Sequence, residues 1–130
     1  MVFIDDVKEN RIVLKRRILK CMAPNATTIE AATGEEALEM CEKEQERFDV
    51  IIVYQYMEEA GGVMLGTAVV FAMRRMLIDA TIIGCSCNNL KVEFKEAGAD
   101  SVWQKPMPSN ADIIRLWRSS CSELAQNTMS

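Results

Sequence analysis

The chain has 130 residues, 49% of them hydrophobic and 26% charged, with a formal net charge of −4 and a pI of about 4.9. That is the size of one domain with a single core, and the acidic balance excludes a general nucleic-acid binder, which carries a basic patch. No apolar run reaches the ~18 residues of a membrane span, and the N-terminus lacks the charged segment and apolar core of an export signal, so a cytoplasmic protein without a membrane partner is expected.

Short apolar strands alternate with amphipathic helices along the whole chain, which predicts one α/β domain over 1–130. Its core would be a doubly wound five-stranded parallel sheet covered on both faces, three layers in all. Val2-Phe3-Ile4 is the first strand, stopped by Asp5-Asp6. A helix follows to about Met22, with Leu14, Ile18 and Cys21 at i, i+4, i+7. Arg11, Lys15, Arg16 and Arg17 read as its solvated face. Thr27 to Ala31 is a weaker second strand. Thr33-Gly34-Glu35-Glu36 is a capping-box pattern: the Thr33 hydroxyl accepts from the Glu36 N–H and the Glu36 carboxylate reaches back. The helix it opens buries Ala37, Met40 and Cys41.

Phe48 to Val53 is a near-continuous apolar run, as a central parallel strand requires. Val69, Ala72, Met73 and Met76 make the buried stripe of a third helix. Ala80 to Gly84 is the fourth strand. Leu90, Phe94 and Ala97 stripe a short fourth helix ended by Gly98 as its C-cap. Ser101 to Gln104 is the fifth strand, and Ile113, Leu116, Trp117 and Leu124 stripe a last helix before a polar tail.

The chain contains no histidine, which excludes Ser-His-Asp and Cys-His catalysis and His-ligated zinc. Its five cysteines, Cys21, Cys41, Cys85, Cys87 and Cys121, are odd in number and form no C-x-x-C pair, as in a reduced intracellular protein. Cys85 and Cys87 lie on one face of a strand end, but nothing around them supports metal or redox chemistry.

In an open parallel sheet, ligands bind at the carboxyl ends of the strands. Four strands deliver polar groups there: Asp5 and Asp6, Tyr54, Ser86, and Lys105. Adjacent carboxylates need a cation, and oxygen ligands suit Mg²⁺ or Mn²⁺. A lysine supplies a point charge for a carboxylate or phosphoryl oxygen, and Pro106 behind it could fix its approach.

These residues resemble the receiver domain of two-component response regulators, together with Asn10-Arg11, Ala32-Thr33-Gly34-Glu35-Glu36-Ala37-Leu38 and Ala97-Gly98-Ala99-Asp100. The resemblance runs from Val2 to about Trp117. It implies the (βα)5 flavodoxin-like receiver fold and a signalling partner: a histidine kinase, a phosphotransfer protein or an output domain. It implies that Asp6 is a direct Mg²⁺ ligand, that Asp5 acts through water, and that the backbone carbonyl of Tyr56 is a third ligand. Ser86 would be the switch hydroxyl and Lys105 the phosphate-sensing lysine. Tyr54 stands where the family has the Asp that accepts phosphate.

That departure governs the functional expectation. A phenol has a pKa near 10, against about 3.9 for an aspartate. It is neutral at pH 7, a poor Mg²⁺ ligand and a poor nucleophile toward phosphohistidine. Glu58 also replaces the family's usual proline after Met57. The stretch from Tyr54 to Arg74-Arg75 is longer than usual and holds Gly61, Gly62 and Gly66. The helix after Ser86 looks a turn short. Val102 stands where the family often has an aromatic, with Trp103 beside it on the other face.

The expected function is therefore a receiver-like module that accepts no phosphate, catalyses nothing, binds Mg²⁺ weakly or not at all, and works by protein–protein contact. Two alternatives stay open. One is a phosphoaccepting receiver carrying an engineered or sporadic Asp-to-Tyr substitution, since Asp5, Asp6, Ser86 and Lys105 persist. The other is a metal-dependent phosphatase of the haloacid-dehalogenase kind, which places one residue between its two acids where this chain has none.

Overall fold

The computed structural model describes residues 1–5, 7–21, 27–44, 48–55, 64–86 and 89–104. Its elements are β1 (Val2–Ile4), α1 (Lys8–Cys21), β2 (Ile29–Ala31), α2 (Gly34–Glu44), β3 (Val50–Tyr54), α3 (Gly66–Arg75), β4 (Thr81–Ser86), α4 (Lys91–Ala97) and β5 (Ser101–Gln104). The strands form one parallel sheet in the order β2-β1-β3-β4-β5.

Alternation along the strands divides the core into two layers. Val2, Ile4, Ile51, Val53 and Ile82 point to one face, where Ala37 of α2, Val69, Val70 and Met73 of α3 and Phe94 of α4 cover them. Phe3, Val50, Ile52, Ile83, Cys85 and Trp103 point to the other, with Leu14 of α1 and Tyr54 packed against them. Val102 and Trp103 go to opposite faces, as expected. Burial on both faces is why β3 and β4 read as apolar runs rather than as alternating ones.

The Thr33 cap forms: its hydroxyl accepts the Glu36 N–H at 3.1 Å. Glu36 reaches one residue further back than its cap, accepting the Ala32 N–H at 3.1 Å. Several boundaries move for pairing reasons. β2 begins at Ile29 because its neighbour β1 offers three residues to pair with. β4 continues past Gly84 to Ser86 because Tyr54 pairs with Cys85 on one side and Gln104 with Ser86 on the other. Phe48 precedes β3 yet is buried. Met76 is more exposed than its spacing predicts, because α3 ends there and Leu77 turns the chain at φ 62°. The buried stripe takes Val70 instead. The last helix and the side chains of Ile18 and Cys21 lie outside the described residues.

The amino-terminal end of the sheet is held by Arg74. Its Nε donates to the Gly98 carbonyl at 2.9 Å, and Nη1 donates to the carbonyls of Ile78 at 2.8 Å and Ala80 at 2.9 Å. Nη2 donates to Asp100 Oδ2 at 3.0 Å, an oxygen that also accepts the Ile82 N–H at 2.8 Å. One guanidinium thus joins the end of α3, the start of β4 and the α4–β5 connection. Gly98 sits at φ 119°, and a Cβ there would meet Arg74 Cγ at 2.6 Å, so both backbone angle and space require glycine.

Arg74→Met keeps the apolar stem but strands three carbonyl oxygens. It is expected to lower stability by about 2–3 kcal/mol, read as a lower urea midpoint at unchanged slope. A midpoint equal to that of the unsubstituted chain would show that solvent replaces these bonds without loss.

Candidate functional site

Asp5, Tyr54 and Ser86 all stand at the carboxyl-terminal edge of the sheet, following β1 and ending β3 and β4. The structure brings the first two together. Both line a cavity of about 170 Å³ floored by Phe3, Ile52 and Cys85 and walled by Asn10, Arg11, Leu14 and Arg17 of α1. Ser86 does not line it. Tyr54 pairs with Cys85 and shares its face, so Ser86, fully buried, leaves the strand on the opposite side. Asp6, Tyr56 and Lys105 lie outside the described residues.

The surroundings of Asp5 are those of a helix start. Its Oδ1 accepts the Val7 N–H at 3.0 Å, an Asx turn leading into α1. Its backbone N–H donates to the Ala31 carbonyl at 3.2 Å, and its own carbonyl accepts Arg11 Nη1. Arg11 also donates to Glu30 Oε1 at 3.3 Å from a side chain that is largely covered. Arg11 is therefore a brace between α1, the end of β1 and β2.

The Tyr54 ring is half-buried and lies against the Phe3, Ile52 and Cys85 cluster at the cavity rim. The cavity is mostly apolar at its floor, with arginine rather than carboxylate on its helix wall. Among the described residues no three acidic or thiol side chains converge. A hard divalent cation takes six or more oxygens. Among the described residues the cavity offers one carboxylate, which accepts the Val7 N–H, and the Tyr54 phenol; Asp6 and Tyr56, the other oxygen ligands the resemblance implies, lie outside the described residues. Of the two described thiols, burial pushes Cys41 up in pKa, away from the thiolate a metal needs, and Cys85 is buried within the sheet.

Sequence reasoning missed Gln55, which follows Tyr54. It is 5% exposed and turns to the face opposite Tyr54. Its Oε1 accepts the Thr67 N–H at 2.9 Å, its Nε2 donates to Thr67 Oγ1 at 3.4 Å, and its carbonyl accepts the Gly66 N–H at 2.8 Å. This satisfies the first free N–H groups of α3, which a side-chain cap at Leu65 does not provide. Gly66 is thus the first residue of α3. A Cβ there would meet the Tyr54 carbonyl oxygen at 2.3 Å and Gln55 Cα at 2.9 Å. The one signal available was Gly-Thr directly before an apolar stripe. Glu58, Gly61 and Gly62 lie outside the described residues.

No protein-family model matches the chain, and no curated protein matches it in sequence. Solved structures do resemble it. The chemotaxis response regulator CheY4 of Vibrio cholerae is 25% identical with a TM-score of 0.75, over 92% of this chain and 95% of that one. The receiver domain of NtrX from Brucella abortus is 15% identical with a TM-score of 0.75, over the same shares. The Francisella response regulator 1452 receiver domain is 21% identical with a TM-score of 0.72, over 95% of this chain and 96% of that one. The fold is that of receiver domains.

Gly66→Ala forces the end of β3 away from α3 against unyielding backbone atoms. The expected cost is about 2–4 kcal/mol, measured by chemical denaturation. A change within about 0.5 kcal/mol, the range of ordinary surface substitutions, would show that the two segments do not touch.

Proposed function

We propose that this chain is a receiver-like signalling domain of a two-component or phosphorelay system that accepts no phosphate and acts by protein–protein contact. Its partner would be a histidine kinase, a phosphotransfer protein or an output domain in the cytoplasm, with no direct part for nucleic acid or membrane. No described helix is long and apolar enough to cross a membrane.

The observation that carries this reading is the setting of Tyr54. The receiver fold does its chemistry at the end of the central strand, and the side chain that ends β3 here is a phenol leaning on an apolar cluster. Attack on a phosphohistidine needs an ionised oxygen, and a phenol is neutral at pH 7. Even a displaced ring would leave Asp5 serving the Val7 N–H. In this reading Mg²⁺ binds weakly or not at all, and the chain is not an enzyme.

The rival reading, a working receiver with a recent substitution, drew on the persistence of the site residues. Asp5 has a structural duty that accounts for its presence: it starts α1 by accepting the Val7 N–H. That supports the first reading over the second.

Incubation with acetyl phosphate and Mg²⁺ is expected to leave the chain unlabelled by intact-mass spectrometry; an acyl phosphate on the unsubstituted chain overturns the proposal. The Tyr54→Asp variant is also expected to stay unlabelled, and labelling of it would favour the rival. Calorimetric titration with Mg²⁺ at neutral pH should show no saturating site, and a tight stoichiometric one would contradict this. Without divalent metal, Tyr54→Asp should lose about 1–2 kcal/mol, from apolar contact and from a third carboxylate added to Asp5 and Asp6. An equal or higher melting temperature in EDTA counts against that placement of the ring.

A further inference from the structure

Large apolar side chains left exposed among the described residues are Val13, Leu65, Phe71, Met76, Leu77 and Val92. Four of these belong to α3 and its two ends. The buried stripe of α3 is Gly66, Val69, Val70 and Met73. Helical periodicity then puts Ala68, Phe71 and Arg75 on the outward line, with Ala72 beside them. Phe71 is 54% exposed, and the Arg75 guanidinium lies 5.8 Å from its ring centre. The helix contains no acid. At its amino-terminal end stands the exposed carboxylate of Glu35, whose Oε1 accepts the Met64 N–H at 2.8 Å.

We infer that the outward face of α3 is a self-association surface on which two copies of this chain pair antiparallel about a two-fold axis. Two features select a second copy as the occupant. An aromatic knob stands between two alanines, so an antiparallel copy centred near position 70 seats each Phe71 over Ala68 and Ala72 of the other. The same register brings Arg75 of one copy to the Leu65 end of the other, where Glu35 stands, so basic end meets acidic end twice. A two-fold contact must be complementary to itself, and this face is. Gln55 and Arg74 fasten the two ends of α3, so the face is presented on a rigid element. A ten-residue helix is only about 15 Å long, which places the contact at the small, transient end of interfaces.

Sedimentation equilibrium of the full chain, run as a concentration series into the high micromolar range, should fit a monomer–dimer equilibrium that weakens with salt. Phe71→Ser should raise the dissociation constant about tenfold or more with an unchanged melting temperature. Arg75→Glu should weaken pairing, and Arg75→Glu combined with Glu35→Lys should recover it. A monomer at every concentration, a dimer indifferent to Phe71→Ser, or no recovery in the double variant each overturns the inference. The result does not depend on phosphate: a chain that is labelled and still pairs through Phe71 refutes the preceding proposal and leaves this one standing.

Discussion

A strand buried on both faces has no solvent side, so each side chain at its end must find room in one layer or the other. At the end of β3 that constraint separates two neighbours. Tyr54 follows Val50 and Ile52 onto the α1 face, and Gln55 crosses to α3. The phenol then leans on apolar side chains beside Asp5, while the amide closes the backbone of α3. The close approach of Gly66 to the Tyr54 carbonyl holds both in place. The character of the candidate site follows from this division: an aromatic rim over an apolar floor, with Ser86 turned away.

Several charged residues among those described complete backbone hydrogen bonding. Asp5 accepts the Val7 N–H, Arg11 binds the Asp5 carbonyl, Glu35 accepts the Met64 N–H, and Arg74 takes three carbonyls and a carboxylate. Backbone groups shut away from water need such partners. Asp5, a candidate site residue, thus also serves the scaffold. The bonds of Arg74, with those of Gln55, fasten α3 at both ends.

Much of the architecture was legible because it rests on local pattern. Apolar runs between polar loops marked β3 and β4, the Thr33 cap marked α2, and Gly98 marked the end of α4. Boundaries were less legible, because a parallel strand ends where its neighbours stop pairing. β4 reaches Ser86 only because Tyr54 and Gln104 lie beside its last turns of ladder. Met76 satisfied helical spacing and was still displaced outward by a chain reversal at Leu77.

The amino-acid order by itself determined that the domain is a parallel α/β sheet and that a neutral phenol, not a carboxylate, ends its central strand. Side-chain chemistry and periodicity are local properties, so they are readable without coordinates. Which polar groups share a cavity was decided only by tertiary structure. Asp5 and Tyr54 line one cavity and Ser86 does not, because strand register and alternation assign each to a face. Gln55 found its role in the same way, since its partner Thr67 is brought to it by the packing of α3 against the end of β3.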